Sequence, residues 1–453
     1  MRDIAMLLLF CPMLVISVRY VHLGTMLWAW TALAGPTTYL YGVAADFPFN
    51  KAAAVATVIG LVADRTKRKF YVDGFFIFFT LFLLQGVISF TFGLADIPRT
   101  YDLLDKMVKI WVLCIIMKMA SRDRLQIYAM VIVFTFSLGL HGALEGMKYV
   151  LSAGAHKVVA SAVIGDNNYL ALAVLMILPF VIYLYRVVAN RAFKAVLIAG
   201  GLASFVGVVA TASRGGLIGL AALALMIFLQ SKRKVLTIFA IVTVAVGLVA
   251  FAPSRWMDRM ETMQTVEQDD SFMSRVASWK MNTILALDRP FLGGGYSALE
   301  DGRVHRAYLP MFGMLDFIPT EAPAHLLAAH SIYFAVLGDL GFIGFILFIC
   351  MLVSTYLNIR KVKSIARGTP EHVWAYELGT AFHRSLVIFM IVGAALSASY
   401  FEILYIQITL VSILRRSLEE SAARRTVAAG TAVALARGSW APAPSTNARP
   451  WVR

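Results

Sequence analysis

Residues 194–230, KAVLIAGGLASFVGVVATASRGGLIGLAALALMIFLQ, decide the class of fold. Two apolar runs, each long enough for a membrane helix, meet at the polar seam Thr211-Ala212-Ser213-Arg214-Gly215-Gly216. An arginine inserted near a bilayer costs from about 2.5 to over about 10 kcal/mol, depending on its depth, so its retention needs a compensating partner. Because Gly215 and Gly216 let the backbone approach whatever the guanidinium holds, the seam indicates an anionic ligand at the membrane surface.

The composition excludes a soluble fold. Hydrophobic residues make up 60% of the 453 positions and charged residues 15%, so a soluble chain would expose large apolar patches. The first apolar run, from Ile4 to Val18, ends without a small-residue cleavage site and is expected to be a retained anchor. The net charge of +15 is spread over short breaks between apolar runs, which argues for membrane lipids and against nucleic acid as a partner.

Apolar stretches of about 15–25 residues predict an all-α polytopic membrane protein with about twelve transmembrane helices. The expected spans are residues 4–18, 24–45, 51–63, 72–92, 103–119, 125–144, 168–188, 194–212, 214–230, 235–252, 331–358 and 384–414. Gly35-Pro36 is expected to break or kink the second span. The last span contains Ser397, Ser399 and Glu402, so one long span and two short segments both remain open.

Alternate polar breaks are rich in lysine and arginine, which predicts that they lie in the cytoplasm. These breaks contain Arg65, Lys67, Arg68 and Lys69; Lys118, Arg122 and Arg124; Arg186, Arg191 and Lys194; Lys232, Arg233 and Lys234; and Arg360, Lys361, Lys363 and Arg367. Arg214 and the long segment 253–329 are then expected on the outer face.

The spans and breaks divide the chain into five regions. They are an N-terminal transmembrane region 1–145, a central transmembrane region 146–252 with the Arg214 seam, an outer (periplasmic) loop 253–330, a C-terminal transmembrane region 331–414 and a cytoplasmic, partly disordered tail 415–453. The tail ends in Ala/Pro/Ser-rich sequence of the kind typical of disorder, and no function follows from it.

The outer loop is expected to contain one amphipathic helix. Segment 253–329 has seven basic and ten acidic residues, so any anion bound there must be held by particular arginines. Capping residues at 269–271 precede apolar positions at helical spacing, and Pro290 marks the end of the helix. Arg275 and Trp279 share a face of this helix. Two interpretations remain open: the pair fixes the helix to the bilayer, or Arg275 points towards the ligand of Arg214.

His330-Ser331-Ile332-Tyr333 opens the apolar run that follows the loop. A histidine at such a boundary is often only an interfacial residue. With a pKa near 6.5 and a position on the same face as Arg214 and Arg275, His330 is also a candidate general base. His305 and His325 are rival candidates in the same loop.

Gly165-Asp166-Asn167-Asn168 is the remaining polar cluster, and it opens the span at 168–188 from the outer side. Asp and Asn are good helix caps, which is one interpretation of the cluster. Contact with a sugar or an acceptor, through Asp166 and Asn168, is the other.

Together and in this order, these features resemble the O-antigen ligase and polymerase superfamily of bacterial envelope glycosyltransferases. The resemblance extends over about 165–400 and rests on Ser213-Arg214-Gly215-Gly216, Arg275 with Trp279, the stretch 290–295, and His330-Ser331-Ile332-Tyr333 leading into Gly338-Asp339-Leu340-Gly341. The first hundred residues, with Asp46-Phe47-Pro48-Phe49, are similar to O-glycosylation ligases found with exosortase-type sorting systems. Many members have Asn after the histidine, where this chain has Ser331.

The resemblance implies transfer of a glycan from undecaprenyl diphosphate to a hydroxyl of lipid A–core, of a glycan or of a protein, at the periplasmic face of the bacterial inner membrane. Arg214 and Arg275 are then expected to hold the diphosphate, and His330 to take the proton of the attacking hydroxyl. The expected substrate-binding residues are Ser213, Gly215, Trp279, Asp166, Asn168 and Tyr333. No cofactor is expected, and the transfer is predicted to be metal-independent and inverting.

Two alternatives remain open beside the ligase. A polymerase of the same superfamily, extending a repeat-unit glycan, has the same residue pattern. A transporter or flippase of a lipid-linked sugar would need polar residues along a path through the bilayer. The polar residues of this chain gather instead at the predicted outer face, which favours an enzyme.

Overall fold

The computed structural model describes residues 2–42, 44–66, 70–158, 164–250, 270–317, 319–323, 325–326 and 328–438. Within these ranges the regular secondary structure is helical, as the lengths of the apolar stretches predict. The α-helices are α1 Arg2–Arg19, α2 Val21–Ala34, α3 Phe49–Ala63, α4 Gly74–Thr91, α5 Pro98–Ala120, α6 Arg124–Leu151, α7 Asn167–Val187, α8 Arg191–Ala210, α9 Arg214–Gln230, α10 Lys234–Ala250, α11 Asp270–Asp288, α12 Gly302–Tyr308, α13 Ile332–Ala366, α14 Val373–Gly393 and α15 Glu402–Gly438.

Six helical segments of the described chain are long and apolar enough to cross a membrane. They are α4, α6, α7, α8, α13 and the segment Pro370–Gly393 that contains α14. Three shorter apolar helices, Phe49–Ala63, Arg214–Gln230 and Lys234–Thr243, fall below this length. The protein is therefore a multi-helix membrane protein, while the expected total of about twelve spans stays a prediction.

The two irregular spans are both interrupted. Helix α2 ends at Ala34 because Gly35 adopts a left-handed conformation (φ 52°) and Pro36 opens a 3-10 turn, which confirms the break predicted at Gly35-Pro36. The apolar stretch 384–414 is two helices: α14 ends at Gly393 and α15 begins at Glu402. A single span there is wrong, since the backbone leaves the helix over 394–401.

Successive helices run in alternating directions, and the contacts between their ends define the two ends of the bundle. Asn167 at the start of α7 donates a 2.8 Å hydrogen bond to the carbonyl of Thr211 at the end of α8. We call this end, where α5, α7, α9, α13 and α15 begin, the site end. At the opposite end, Ser412 of α15 donates to Asp73 at the start of α4 over 2.6 Å. We call this the basic end.

The basic end carries predicted lysine- and arginine-rich breaks. Arg186 at the end of α7 pairs with Glu377 of α14 over 2.6 Å. Lys118 is wholly buried and pairs with Asp73 over 2.7 Å, so part of this charge stabilises helix packing. Residues 67–69 of the first basic break lie outside the described residues. The separation of basic breaks from the site end agrees with the alternation used to predict orientation.

Helix α11 is the amphipathic helix predicted in the outer loop, and it ends two residues before Pro290. Asp269, the first of its predicted capping residues, lies outside the described residues. Its apolar side is buried against its own loop in a small core that includes Ile284, Leu285 and Phe312. It also packs against α13. Burial of this face means that α11 is anchored by protein contacts, which positions Arg275 and Trp279.

The glycine-rich stretch 290–295 docks into a break in α13. Gly341 has a non-helical conformation (φ 67°, ψ −170°), which frees nearby backbone groups from the helical ladder. Gly294 N–H donates to Gly338 O and Gly295 N–H donates to Asp339 O, both over 2.9 Å. From α4, Gln85 donates side-chain hydrogen bonds to carbonyls on both sides of this junction, and the Ser89 hydroxyl lies within hydrogen-bonding distance of a carbonyl on each side. The tight turn expected at 293–295 therefore also joins α11 to α13.

Candidate active site

The Arg214 seam is joined to the polar cluster at the start of α7. Ser213 is the N-cap of α9: its Oγ accepts a hydrogen bond from Gly216 N–H over 3.1 Å and donates one to Asn168 Oδ1 over 2.7 Å. Ala212, just before it, has the left-handed φ of 47°, a conformation that is unfavourable for a residue with a Cβ and often found at functional sites. The backbone of Arg214, the first residue of α9, is thus held in a fixed position by these contacts.

Asp166 caps α7 and also acts electrostatically on His330. Its Oδ1 accepts hydrogen bonds from Asn168 N–H over 2.8 Å and Tyr169 N–H over 3.0 Å, which is the capping role predicted for the cluster. Its negative charge raises the pKa of His330. The cap is therefore also part of the electrostatic surroundings of the histidine.

His330 lies immediately before the N-cap of α13. Its φ is 45°, again in the left-handed region, and its N–H donates a 2.7 Å hydrogen bond to Ser397 Oγ. Ser331 is the N-cap of α13, and its Oγ accepts a hydrogen bond from Tyr333 N–H. The hydroxyl of Ser331 thus caps the start of α13.

The pKa of the His330 imidazole lies below its usual value of 6.5. Burial is the largest cause, the positive charge of Arg275 is the second, and Asp166 opposes both. At neutral pH the imidazole is therefore in the neutral form that accepts a proton. Arg275 of α11 and Asp166 of α7 therefore both act electrostatically on His330.

Trp279 packs onto the helix that His330 precedes. Its ring stacks on Phe334 of α13 with centroids 5.2 Å apart and planes at 11°. Its indole nitrogen is buried and has no hydrogen-bond partner among the described residues. A buried indole N–H normally finds an acceptor, so this group is available to an oxygen atom of a ligand.

Other residues predicted at the site make helix contacts. Tyr333 donates a 3.2 Å hydrogen bond to Met390 O, which directs its hydroxyl to α14. A Cβ at Gly215 would lie 3.6 Å from Val392 Cγ1, so Gly215 also faces α14. Of the rival histidines, His305 is buried in α12 and His325 is exposed. Hydrogen bonds connect Asp166, Asn168 and Ser213, and the charges of Asp166 and Arg275 act on His330, so these residues form one group.

A cavity of about 400 Å³ opens beside this group at the site end. We call it the central cavity. It is bordered by Ala329 and by Ser397, the acceptor of the His330 N–H. Sequence reasoning missed several of its lining residues, namely Arg99, Lys106, Tyr169, Tyr400 and Phe401. They come from the starts of α5 and α7, from two turns further along α5 and from the two residues before α15, and no spacing pattern in the sequence groups them.

Asp339 supplies a buried carboxylate to the wall of the central cavity, with 5% of the residue exposed. Its Oδ2 accepts a hydrogen bond from Tyr400 O–H over 2.9 Å and its Oδ1 accepts one from Ser297 N–H over 3.0 Å. An acidic residue inside an apolar run is expensive in a membrane and marks a functional position by default. That signal was present in the sequence at Gly338-Asp339-Leu340-Gly341.

The cations of the cavity wall are already paired with acids. Arg99 Nε lies 3.1 Å from Glu300 Oε2, and Lys106 pairs with Glu402 at the start of α15. Their charge is therefore largely balanced within the wall.

The described residues therefore form a helical membrane fold with a polar cavity and a group of charged side chains at one end. Residues 199–349, which include Arg214, Arg275 and His330, match the family model described as O-Antigen ligase. This match supports membership of the O-antigen ligase superfamily and suggests a membrane enzyme of glycosyl transfer. Residues 1–189 match a second model, described as a family of unknown function (DUF5935). The curated proteins contain no match to this chain.

Proposed function

We propose that the protein is a glycan ligase that transfers a glycan from undecaprenyl diphosphate to an acceptor hydroxyl at the periplasmic face of the bacterial inner membrane. The observation that carries this proposal is the grouping of neutral His330 with Arg275 and Asp166, next to the Ser213–Arg214 seam. A base and two arginines from separate helices at one end of a membrane bundle suit a reaction on a lipid diphosphate.

In this proposal the arginines bind the leaving group. The guanidinium groups of Arg214 and Arg275 hold diphosphate oxygens by charge-assisted, bidentate hydrogen bonds. They also stabilise the negative charge that builds up on the diphosphate as its bond to the sugar breaks. The unpartnered indole N–H of Trp279, on the same helix as Arg275, is available to a further donor oxygen.

His330 acts as the general base. Its imidazole takes the proton of the acceptor hydroxyl while the hydroxyl oxygen forms a bond to the anomeric carbon. The bond from that carbon to the diphosphate oxygen breaks, and its electron pair leaves with the diphosphate. Attack opposite to the leaving group inverts the anomeric configuration. The two arginines supply the electrophilic assistance, so the transfer is expected to be independent of metal ions.

The central cavity provides space for the sugars next to the reacting bond. The rings of Tyr169, Tyr400 and Phe401 and the polar groups of Asn282 and Asp339 form the mixture of flat apolar surface and hydrogen-bonding groups that suits a saccharide. Because its cations are balanced by acids, the cavity favours neutral sugar hydroxyls over a second anionic group.

The test is transfer by the purified protein in detergent, with a lipid-linked glycan donor and two acceptors compared, lipid A–core and protein. Glycan attached to either acceptor supports the ligase and identifies the acceptor class. Longer lipid-linked glycan without attachment would instead identify a polymerase. Transport requires two compartments, so any transfer in detergent excludes transport or flipping as the main activity.

A further inference from the structure

The segment 394–401 between α14 and α15 makes three hydrogen bonds to the residues around the beginning of α13. Ser397 Oγ accepts the N–H of His330 over 2.7 Å. Ser399 Oγ donates to Ile332 O over 3.0 Å, and Tyr400 O–H donates to Asp339 Oδ2 over 2.9 Å. The first contact is made to the candidate base itself, and the other two fix the helix that follows it.

This segment is itself held from two sides. Tyr169 of α7 donates its phenolic hydrogen to Ser397 O, and Tyr405 of α15 donates to Ser399 O over 2.8 Å. Ser399 is completely buried. Ser397 therefore presents its hydroxyl from a rigid support, which a surface loop would not provide.

His330 needs such a support because of its backbone conformation. A φ of 45° is left-handed, and a residue with a Cβ adopts it only when the surroundings impose it. The hydrogen bond from His330 N–H to Ser397 Oγ acts on the peptide group of this residue. Without it, the backbone is free to turn to an ordinary conformation and carry the imidazole away from Arg275 and Asp166.

We propose that Ser397 is a positioning residue for the transfer reaction: its hydroxyl holds the backbone of His330 in the left-handed conformation that directs the imidazole to the acceptor. The inference rests on the proposed role of His330 as general base. Ser397 acts through the backbone of His330 and is not itself a proton acceptor in the reaction.

The test is Ser397→Ala in the purified full-length protein, assayed for transfer. Displacement of a reacting group by about 1 Å costs on the order of 10–100-fold in rate, so kcat is expected to fall in this range. KM for donor and acceptor stays within about twofold. Ser397→Thr keeps the hydroxyl and restores most of kcat. Ser385→Ala is the matched control, because Ser385 is a buried serine of α14 that donates to Gln407 over 2.7 Å, away from His330.

Three results would overturn the proposal. One is an unchanged kcat in Ser397→Ala. Another is a rise in the KM of either substrate with kcat preserved, which would mean that Ser397 binds substrate from the cavity wall. The third is an equal loss in Ser385→Ala. If Ser397→Ala does not fold, Ser397→Cys replaces the hydroxyl with a weak acceptor of similar shape, and a normal kcat there is equally contradictory.

The outcomes separate this inference from the proposed function. Absence of transfer by the wild-type protein contradicts the proposed function. If the wild type transfers glycan, His330→Ala loses transfer and Ser397→Ala has a normal kcat, only the positioning role of Ser397 is contradicted.

Discussion

Ser213 Oγ donates a 2.7 Å hydrogen bond to Asn168 Oδ1, and this bond joins the start of α9 to the start of α7. Arg214 follows Ser213 directly, while Asn168 is held by Asp166, whose charge acts on His330. A set of hydrogen bonds therefore links the start of α9, next to Arg214, to Asp166, whose charge acts on the predicted base. Substitutions along it are expected to affect binding and proton transfer separately.

Replacement of His330 by alanine is expected to abolish most transfer. Removal of a general base lowers kcat by about 10²–10⁴-fold. Donor binding should be retained, because the arginines remain in place. Transfer is measured with purified protein, and donor binding by the competition of unlabelled against labelled donor.

The control for this variant is His325→Ala, which removes an exposed histidine of the same loop and should leave kcat unchanged. Normal transfer by His330→Ala would contradict the base assignment and shift attention to His305.

Arg214→Ala is expected to weaken donor binding as well as turnover. In the proposed mechanism the same guanidinium binds the diphosphate of the donor and stabilises its charge as it leaves. Loss of a hydrogen bond to a charged group corresponds to about 1.5–3 kcal/mol, or roughly 10–150-fold in donor affinity. Arg214→Lys should recover only part of this, since an ammonium lacks the planar fork that binds two phosphate oxygens. Arg191→Ala, an exposed change at the start of α8, is the control. Full activity in Arg214→Lys would argue against bidentate binding.

The pH dependence of transfer is expected to follow the pKa of His330. Because burial and Arg275 keep this pKa below 6.5, the neutral base predominates at pH 7 and kcat/KM falls only when the pH drops through the lowered pKa. Arg275→Gln removes a positive charge, so the pKa rises and the acid limb moves to higher pH. Asp166→Asn removes a negative charge and moves the limb to lower pH. Profiles of kcat/KM from pH 5 to 9 provide the measurement, and shifts in the same direction for both variants would refute the assignment.

Gly293→Ala is expected to destabilise the protein through the junction of stretch 290–295 with α13. Gly293 has φ 65°, and a Cβ there would lie 2.5 Å from Asp339 C and O. The left-handed conformation alone costs a non-glycine residue about 1–2 kcal/mol, and the collision adds to it. Gly200→Ala in α8 is the matched control, because no atom lies within 4 Å of its added Cβ. Thermal unfolding in detergent should show a lower midpoint for Gly293→Ala than for the wild type and an unchanged midpoint for Gly200→Ala. Equal midpoints for the two variants would contradict the docked arrangement.

Chelation of metal ions is expected to leave transfer unchanged, because Arg214 and Arg275 provide the positive charge at the leaving group in the proposed mechanism. Transfer rates with and without EDTA test this. A loss of activity that added Mg²⁺ restores would refute metal independence.

Much of the architecture was predictable from local sequence. The lengths of the apolar runs predict the helices, and Gly35-Pro36 predicts the break after Ala34, because these signals act over a few residues. The stretch 384–414 was harder to interpret, since hydropathy measures the length of an apolar run and not the continuity of its backbone. The break at 394–401 depends on Ser397 and Ser399 contacting α13, 67 residues away in the chain.

At the candidate site, too, some features could be predicted from the sequence and others required the tertiary structure. Sequence alone determined the membrane class of the protein and singled out Arg214, Arg275 and His330, because polar residues are costly among apolar runs and stand out there. Only the tertiary structure decided that Asp166 and Arg275 share the surroundings of His330 and that Ser397 holds its backbone. The reason is physical: the order of residues specifies each helix face, whereas the rotation and depth of each helix follow from its packing against all the others.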